Sequence, residues 1–189
     1  MAQHATNLRI VKAFGKDLPQ LKDLVNKSIN ILQTGFLSKA QIRASAEVMG
    51  LDTRLIKDGT YFMVWALTTQ GEELAGCGGW SKRETLYGGD HSAGRNARLL
   101  DPKTEAARIR AMYTHPDWTR RGVGRLILNT CEQAARDAGF KRAEMMATLA
   151  GVPLYIACGY TKINTHTDTT SDGTKIPLVR MNKRLLPKQ

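Results

Sequence analysis

The sequence predicts a mixed α/β (α+β) fold, a mostly antiparallel sheet of six to seven strands with helices on its faces. Three observations carry that prediction. Apolar periodicity alternates between strand and helix spacing in the order β-α-α-β-β-β-α-β-α-β-β. A long amphipathic helix opening at Val123 lies between two strand-like segments. Turn signals at Gly71 and at Asp172-Gly173 divide two further pairs of strand-like segments into hairpins.

Taken in order, Leu8 to Ala13 reads as the first strand. Asp17 is placed to cap a helix from Leu18, with Pro19 in its first turn and Leu21, Leu24, Val25, Ile29 and Leu32 as its apolar stripe. Gly35 stops it, and Ser38-Lys39-Ala40-Gln41 is a capping box for a second helix running to about Gly50. Tyr61 to Leu67 and Leu74 to Trp80 form the first hairpin. Three glycines in its second strand, Gly76, Gly78 and Gly79, mark a bulge, a close approach by a ligand or tight packing.

Residues 85–104 lack periodicity, and loops that long in a compact domain are commonly functional. Glu84, Asp90 and His91 are therefore candidates to reach a ligand-binding cleft. Ala107 to Thr114 is a strand that stops at His115-Pro116, since proline offers no ladder hydrogen bond. The helix from Val123 carries Leu126, Ile127, Cys131, Ala134 and Ala138 on one face and ends at Gly139. Lys141 to Ala147 is the next strand and 152–157 a short helix. Tyr160 to Thr165 and Ile176 to Met181 form the last hairpin, with a frayed tail from Lys183.

Composition bounds the function. The 189 residues, 42% hydrophobic and 24% charged, fit one globular domain, expected over 7–186. No apolar run is long enough to span a membrane, and no secretory signal opens the chain. Cys77, Cys131 and Cys158 form neither a disulfide framework nor a metal-ligand pair, so no metal is expected; they suit burial in a reducing cytoplasm. The net charge of +11 attracts polyanions, either nucleic acid or a phosphate-bearing small molecule. The basic residues are scattered and carry no recognition-helix, zinc-finger or aromatic RNA-binding signature, so no specific nucleic acid is expected.

The most informative stretch is Thr119-Arg120-Arg121-Gly122-Val123-Gly124-Arg125, between a strand and a helix. Two glycines allow a tight turn and close backbone approach. The first N–H groups of a helix lack internal partners, and the helix dipole adds positive charge there. Three arginines complete a setting suited to pyrophosphate. It is not a Walker loop, because no Gly-Lys-Ser/Thr follows.

With Thr114-His115-Pro116 before it, and Leu154-Tyr155-Ile156-Ala157-Cys158-Gly159-Tyr160 downstream, this stretch resembles the acyl-CoA-binding segments of the GNAT superfamily of N-acetyltransferases. The motifs cover 107–162. The resemblance implies a GNAT-like sheet whose fourth and fifth strands splay apart to admit the pantetheine arm of acetyl-CoA, the co-substrate. Arg120, Arg121, Gly122, Val123, Gly124 and Arg125 would then hold the pyrophosphate, and the backbone of Met112, Tyr113 and Thr114 would pair with pantetheine. A backbone N–H near Met112 or Tyr113 would face the thioester oxygen. Tyr155 matches the family tyrosine that protonates the departing thiolate.

Two departures stand out. Thr119 occupies a position that is usually Gln or Arg. Arg108 falls where many members carry a catalytic glutamate. The base is therefore open among Glu73, Glu84, His91, His115, Glu144 and a water relay. The resemblance implies a cytoplasmic acyl-CoA-dependent N-acyltransferase, most simply an N-acetyltransferase, acting by direct transfer in a ternary complex. The acceptor is a primary amine on a small molecule or peptide. Homodimerisation, common in that family, leaves no mark on the sequence. The alternatives are a non-catalytic acyl-CoA-binding or regulatory module, and a basic nucleic-acid-binding protein.

Overall fold

The computed structural model describes residues 7–92 and 95–185. Its seven strands are β1 (Leu8–Lys12), β2 (Tyr61–Thr68), β3 (Gly71–Ser81), β4 (Ala107–Thr114), β5 (Arg142–Thr148), β6 (Thr161–Thr169) and β7 (Lys175–Arg184). They form one sheet in the order β1-β2-β3-β4-β5-β7-β6. Every pairing is antiparallel except β4 with β5. The helices are α1 (Leu18–Leu32), α2 (Lys39–Ala44), α3 (Thr53–Lys57), α4 (Val123–Asp137) and α5 (Val152–Ala157). The expected fold class is the observed one. No helix among the described residues is long and apolar enough to cross a membrane.

Two cores sandwich the sheet. On one face, Val123, Ile127, Leu128, Cys131 and Ala135 of α4 pack on Val64, Ala75, Ile109, Ala143 and Met145. On the other, Leu21, Leu24, Val25 and Ile29 of α1 pack on Tyr61, Met63, Cys77, Ile176 and Leu178. The β3 glycines serve tight packing. A Cβ at Gly76 would lie 2.5 Å from Val123 Cγ1, and one at Gly79 would lie 2.6 Å from the Thr60 carbonyl oxygen and 2.7 Å from the Tyr61 ring.

Several boundaries differ from expectation. The Ser38 capping box forms, but α2 ends at Ala44 and passes into a 3-10 turn at Ser45–Glu47. The following α3, capped by Asp52 accepting from the Arg54 N–H, carries too little periodicity to be read from sequence. Asp17 does not cap α1; it accepts from the Phe14 N–H and closes the preceding turn. Strand β6 runs on to Thr169. The tail is ordered further than expected. Lys183 lies in β7, where it pairs with buried Glu132 at 2.8 Å, and Leu185 is buried. Residues 186–189, the rest of the expected frayed tail and the end of the expected domain, lie outside the described residues.

Candidate active site

The central strands part where expected. β4 and β5 pair only at Ala107↔Ala143 and Arg108↔Glu144. Beyond that point β4 has no strand partner on its β5 side. The β3–β4 register shifts between Cys77 and Gly79, so Ala111 and Met112 stand opposite Gly78 alone, a bulge. Ala111 takes φ +49°, the left-handed region, and re-aims the backbone there. Ile109, Arg110, Ala111, Met112 and Tyr113 line the resulting cleft on one side. Met145, Met146, Thr148 and Tyr155 line it on the other.

Tyr155 is buried on α5, its ring set edge-on to Tyr160 with centroids 6.1 Å apart. Gly151 leaves it room, since a Cβ there would meet the ring at 2.8 Å. Burial, followed by the neighbouring Tyr113 and cysteine groups, pushes the Tyr155 phenol above its usual range. Tyr113 turns its hydroxyl to Gly50, where it accepts from the Gly50 N–H at 2.8 Å and donates to the Gly50 carbonyl at 3.2 Å.

The glycine–arginine segment lies at the same end of β4. Thr114 ends the strand, and its hydroxyl faces Gly124 at the start of α4. Gly122 precedes the helix with φ +86°, and Arg120 has φ +61°. Gly124 brings α4 against α5, since a Cβ there would sit 2.7 Å from Leu154 Cδ2. Among the described residues, Arg120 and Arg125 are exposed and have no carboxylate within ion-pair distance. Arg121 stacks on Trp118 at 4.9 Å. The Val123 side chain is in the core, leaving only its backbone at the helix entrance.

The carboxylates and histidines weighed as bases are dispersed. Glu144 on β5 is the carboxylate nearest the position of Arg108, but Arg108 pairs with it at 2.8 Å and Arg180 binds its other oxygen. Glu84 is held by Arg98 and Asn96. Glu73 accepts from the Trp118 indole at 3.2 Å, and His115 accepts from the Asp117 N–H. Those two line a separate groove with Gln20, Asp23 and Lys27. Asp90 is turned toward Thr53 and Arg95. Glu84 and His91 line an outer cavity with Glu47, Tyr87, Asp168 and Thr170, which shares Val48, Leu86 and Tyr87 with the cleft. Tyr87 and His166, which the sequence reading missed, meet beside it at 3.3 Å. No local motif marks either residue.

The central strands thus part beside a helix entrance that carries Arg120, Arg121 and Arg125. A family model described as Acetyltransferase (GNAT) family matches residues 29–160, and the chain belongs to that family. Solved structures agree in fold. A GCN5-related N-acetyltransferase from Rhodopseudomonas palustris is 20% identical, with a TM-score of 0.65 over 97% of this chain and 98% of that one. The PaiA N-acetyltransferase from Thermoplasma acidophilum, in complex with coenzyme A, is 13% identical, with a TM-score of 0.59 over 94% and 99%. The Salmonella typhimurium protein yncA, with its cofactor acetyl-CoA, is 16% identical, with a TM-score of 0.58 over 97% and 96%. Among curated protein sequences, none matches the chain significantly.

Proposed function

We propose that the chain is a cytoplasmic acyl-CoA-dependent N-acyltransferase that moves acetyl from acetyl-CoA to a primary amine on a small molecule or peptide, by direct transfer in a ternary complex. One observation carries the reading. β4 leaves β5 after the Arg108–Glu144 pair, so the bulge at Ala111–Met112 and Tyr155 share one cleft. Two similar folds were solved with coenzyme A or acetyl-CoA, which supports it.

The residues present fit that co-substrate. Arg120 and Arg125, exposed beside the helix N-terminus and without carboxylate partners among the described residues, suit a pyrophosphate. The unpaired edge of Met112, Tyr113 and Thr114 suits an extended arm bound like an added strand. Acetyl-CoA supplies the activated acyl group. The bulged backbone offers N–H donors to the carbonyl oxygen, and one well-aimed donor is worth about 3 kcal/mol. Tyr155, its phenol raised by burial, keeps its proton at neutral pH and has it to give to the departing sulfur.

The test is calorimetric titration of acetyl-CoA into the wild type and Tyr155→Phe, followed by thiol release across a panel of amines. Micromolar binding to both proteins, with release about 10²-fold slower in Tyr155→Phe, is expected. Binding without turnover would make the chain an acyl-CoA-binding module. No binding at millimolar acetyl-CoA would overturn the reading, and salt-sensitive DNA or RNA binding would then become the better account.

A further inference from the structure

Tyr87 stands where two cavities meet. It lines the cleft with Met112, Tyr113 and Tyr155, and it also lines the outer cavity with Asp168 and Thr170. Its hydroxyl lies 3.3 Å from His166 Nε2, and the two rings meet edge to face with centroids 6.1 Å apart. His166 is exposed on β6, so its imidazole reaches both Tyr87 and bulk water. Among the residues weighed as bases, Glu144 and Glu84 are held by arginines, and Glu73 and His115 line a different groove. The Tyr87–His166 pair thus joins a cleft-lining hydroxyl to a solvent-facing lone pair.

We propose that Tyr87 and His166 form the proton exit for the acceptor amine, an inference that rests on the acetyl-transfer reading above. The step balances. An N–H bond of the bound ammonium breaks as its proton joins Tyr87 Oη. The phenolic O–H breaks as that proton joins His166 Nε2. The electron pair stays on the amine nitrogen, which becomes the nucleophile, and the imidazolium then loses a proton to solvent. The relay needs the His166 tautomer whose Nε2 accepts. Tyr87 is suited to pass a proton without resting ionised: burial, then the adjacent Asp168, pushes its phenol up to about 12. Tyr87 touches the cleft and is the catalytic group; His166 acts through it and is a positioning residue.

Other charged groups face this pair, and Asp168, which also hydrogen-bonds the Tyr87 hydroxyl and competes with His166 for its proton, is the one that the Asp168→Asn variant controls for. Asp168 lies two residues along β6, Glu47, Glu84 and His91 line the outer cavity, and Arg180 on β7 pairs with Asn164, two residues before His166.

The first arm needs no acceptor. Nitrogen NMR of the histidine side chains in the intact protein is recorded for the wild type, Tyr87→Phe and Asp168→Asn. Loss of the accepting Nε2 signature of His166 in Tyr87→Phe, retained in Asp168→Asn, is expected; an identical His166 tautomer and titration in the wild type and Tyr87→Phe overturns the relay. The second arm measures thiol release with a primary-amine panel in His166→Gln, Tyr87→Phe and the double variant. The expected result is a 10- to 100-fold loss in kcat with the acceptor KM and the acetyl-CoA Kd unchanged, and no further loss in the double variant. The rate should recover toward wild type as pH rises, and added imidazole should partly restore a His166→Gly variant. Full activity in His166→Gln, with the pH profile unmoved, overturns the relay and leaves the acetyl-transfer reading standing. A wild type that does not bind acetyl-CoA fails that reading instead.

Discussion

The Tyr61 hydroxyl donates to the Ala111 carbonyl at 2.9 Å, reaching from β2 across β3 to the bulge on β4. The path lies open because Gly79, opposite Tyr61, has no Cβ to occupy the space of its ring. Cys77 Sγ lies 3.2 Å from the same hydroxyl. The left-handed Ala111 that shapes the cleft is thus tied to a fully buried side chain two strands away. In Tyr61→Phe the ring still packs, but a half-buried carbonyl loses its donor, which costs about 1 kcal/mol. Urea denaturation is expected to show that loss. Thiol release should fall more than acetyl-CoA affinity, because the bulge positions the reacting carbonyl more than it holds the nucleotide. An unchanged turnover number would separate the bulge from the chemistry.

Gly122 and Gly124 are both glycines for local reasons, but for different ones. Gly122 has open space around its Cβ position and φ +86°, so Gly122→Ala meets only backbone strain, about 1 kcal/mol. Gly124 has ordinary helical backbone, but a Cβ there would push on the end of the Leu154 side chain, with Cδ2 at 2.7 Å. Gly124→Ala is expected to cost a similar amount by overpacking. The two are told apart by a second substitution. Relative to Leu154→Ala alone, adding Gly124→Ala should cost little, whereas adding Gly122→Ala should cost its full amount, read by urea midpoints of the three single variants, the two double variants and the parent.

The same contrast shows what a sequence carries. The entrance to α4 was legible because its chemistry is local: Pro116 ends the strand, two glycines turn the chain, and the apolar spacing opens at Val123. The short helix that carries Tyr155 was legible from a second local motif. The glycines of β3 stayed ambiguous, because what they make room for, Val123 and Tyr61, lies far along the chain. Glu144 as the captive of Arg108 and Arg180 needs three strands in register. Tyr87 and His166 come together only when the loop after β3 folds over β6, and no periodicity encodes that.

Arg98 predicts a pH effect. It pairs with Glu105 at 2.7 Å and Glu84 at 3.0 Å. That hydrogen bond, with the Asp101 N–H, holds the Glu105 carboxyl down to about 2. A carboxyl depressed in the folded state is protonated first in the unfolded chain. Its contribution is therefore complete above the ordinary glutamate range and is lost as pH falls through that range toward about 2. In Arg98→Gln, stability is expected to be lower near neutrality and to fall less steeply across this acid window, by urea denaturation at several pH values. Some slope should persist, since Asp172 is held down to about 2 independently by Thr170 and Thr174. An identical slope in both proteins would show that the Arg98 pair contributes nothing there.

The buried pair Asp52–Arg110 links stability to the Tyr87 side of the cleft. Asp52 accepts from Arg110 at 2.9 Å, from Arg95 at 2.6 Å and from the Arg54 N–H at 3.0 Å. Arg110 donates onward to the carbonyls of Thr85 and Gly88, which bracket Tyr87. Both side chains are almost wholly buried. Asp52→Asn keeps the shape but leaves the buried Arg110 guanidinium without a counter-charge, while Arg95 keeps Asp90, a loss of about 3–5 kcal/mol. Arg110→Met leaves Asp52 its Arg95 partner but frees the loop carbonyls. It should cost less globally and act more locally, with faster hydrogen exchange across 85–90. The double variant is expected to be more stable than Asp52→Asn alone, because removing both charges avoids burying one unpaired. If the two losses simply add, the pair is not coupled and the loop is held by other contacts. If Arg110→Met slows amine acetylation while acetyl-CoA affinity is unchanged, the ion pair is what sets Tyr87 in the cleft.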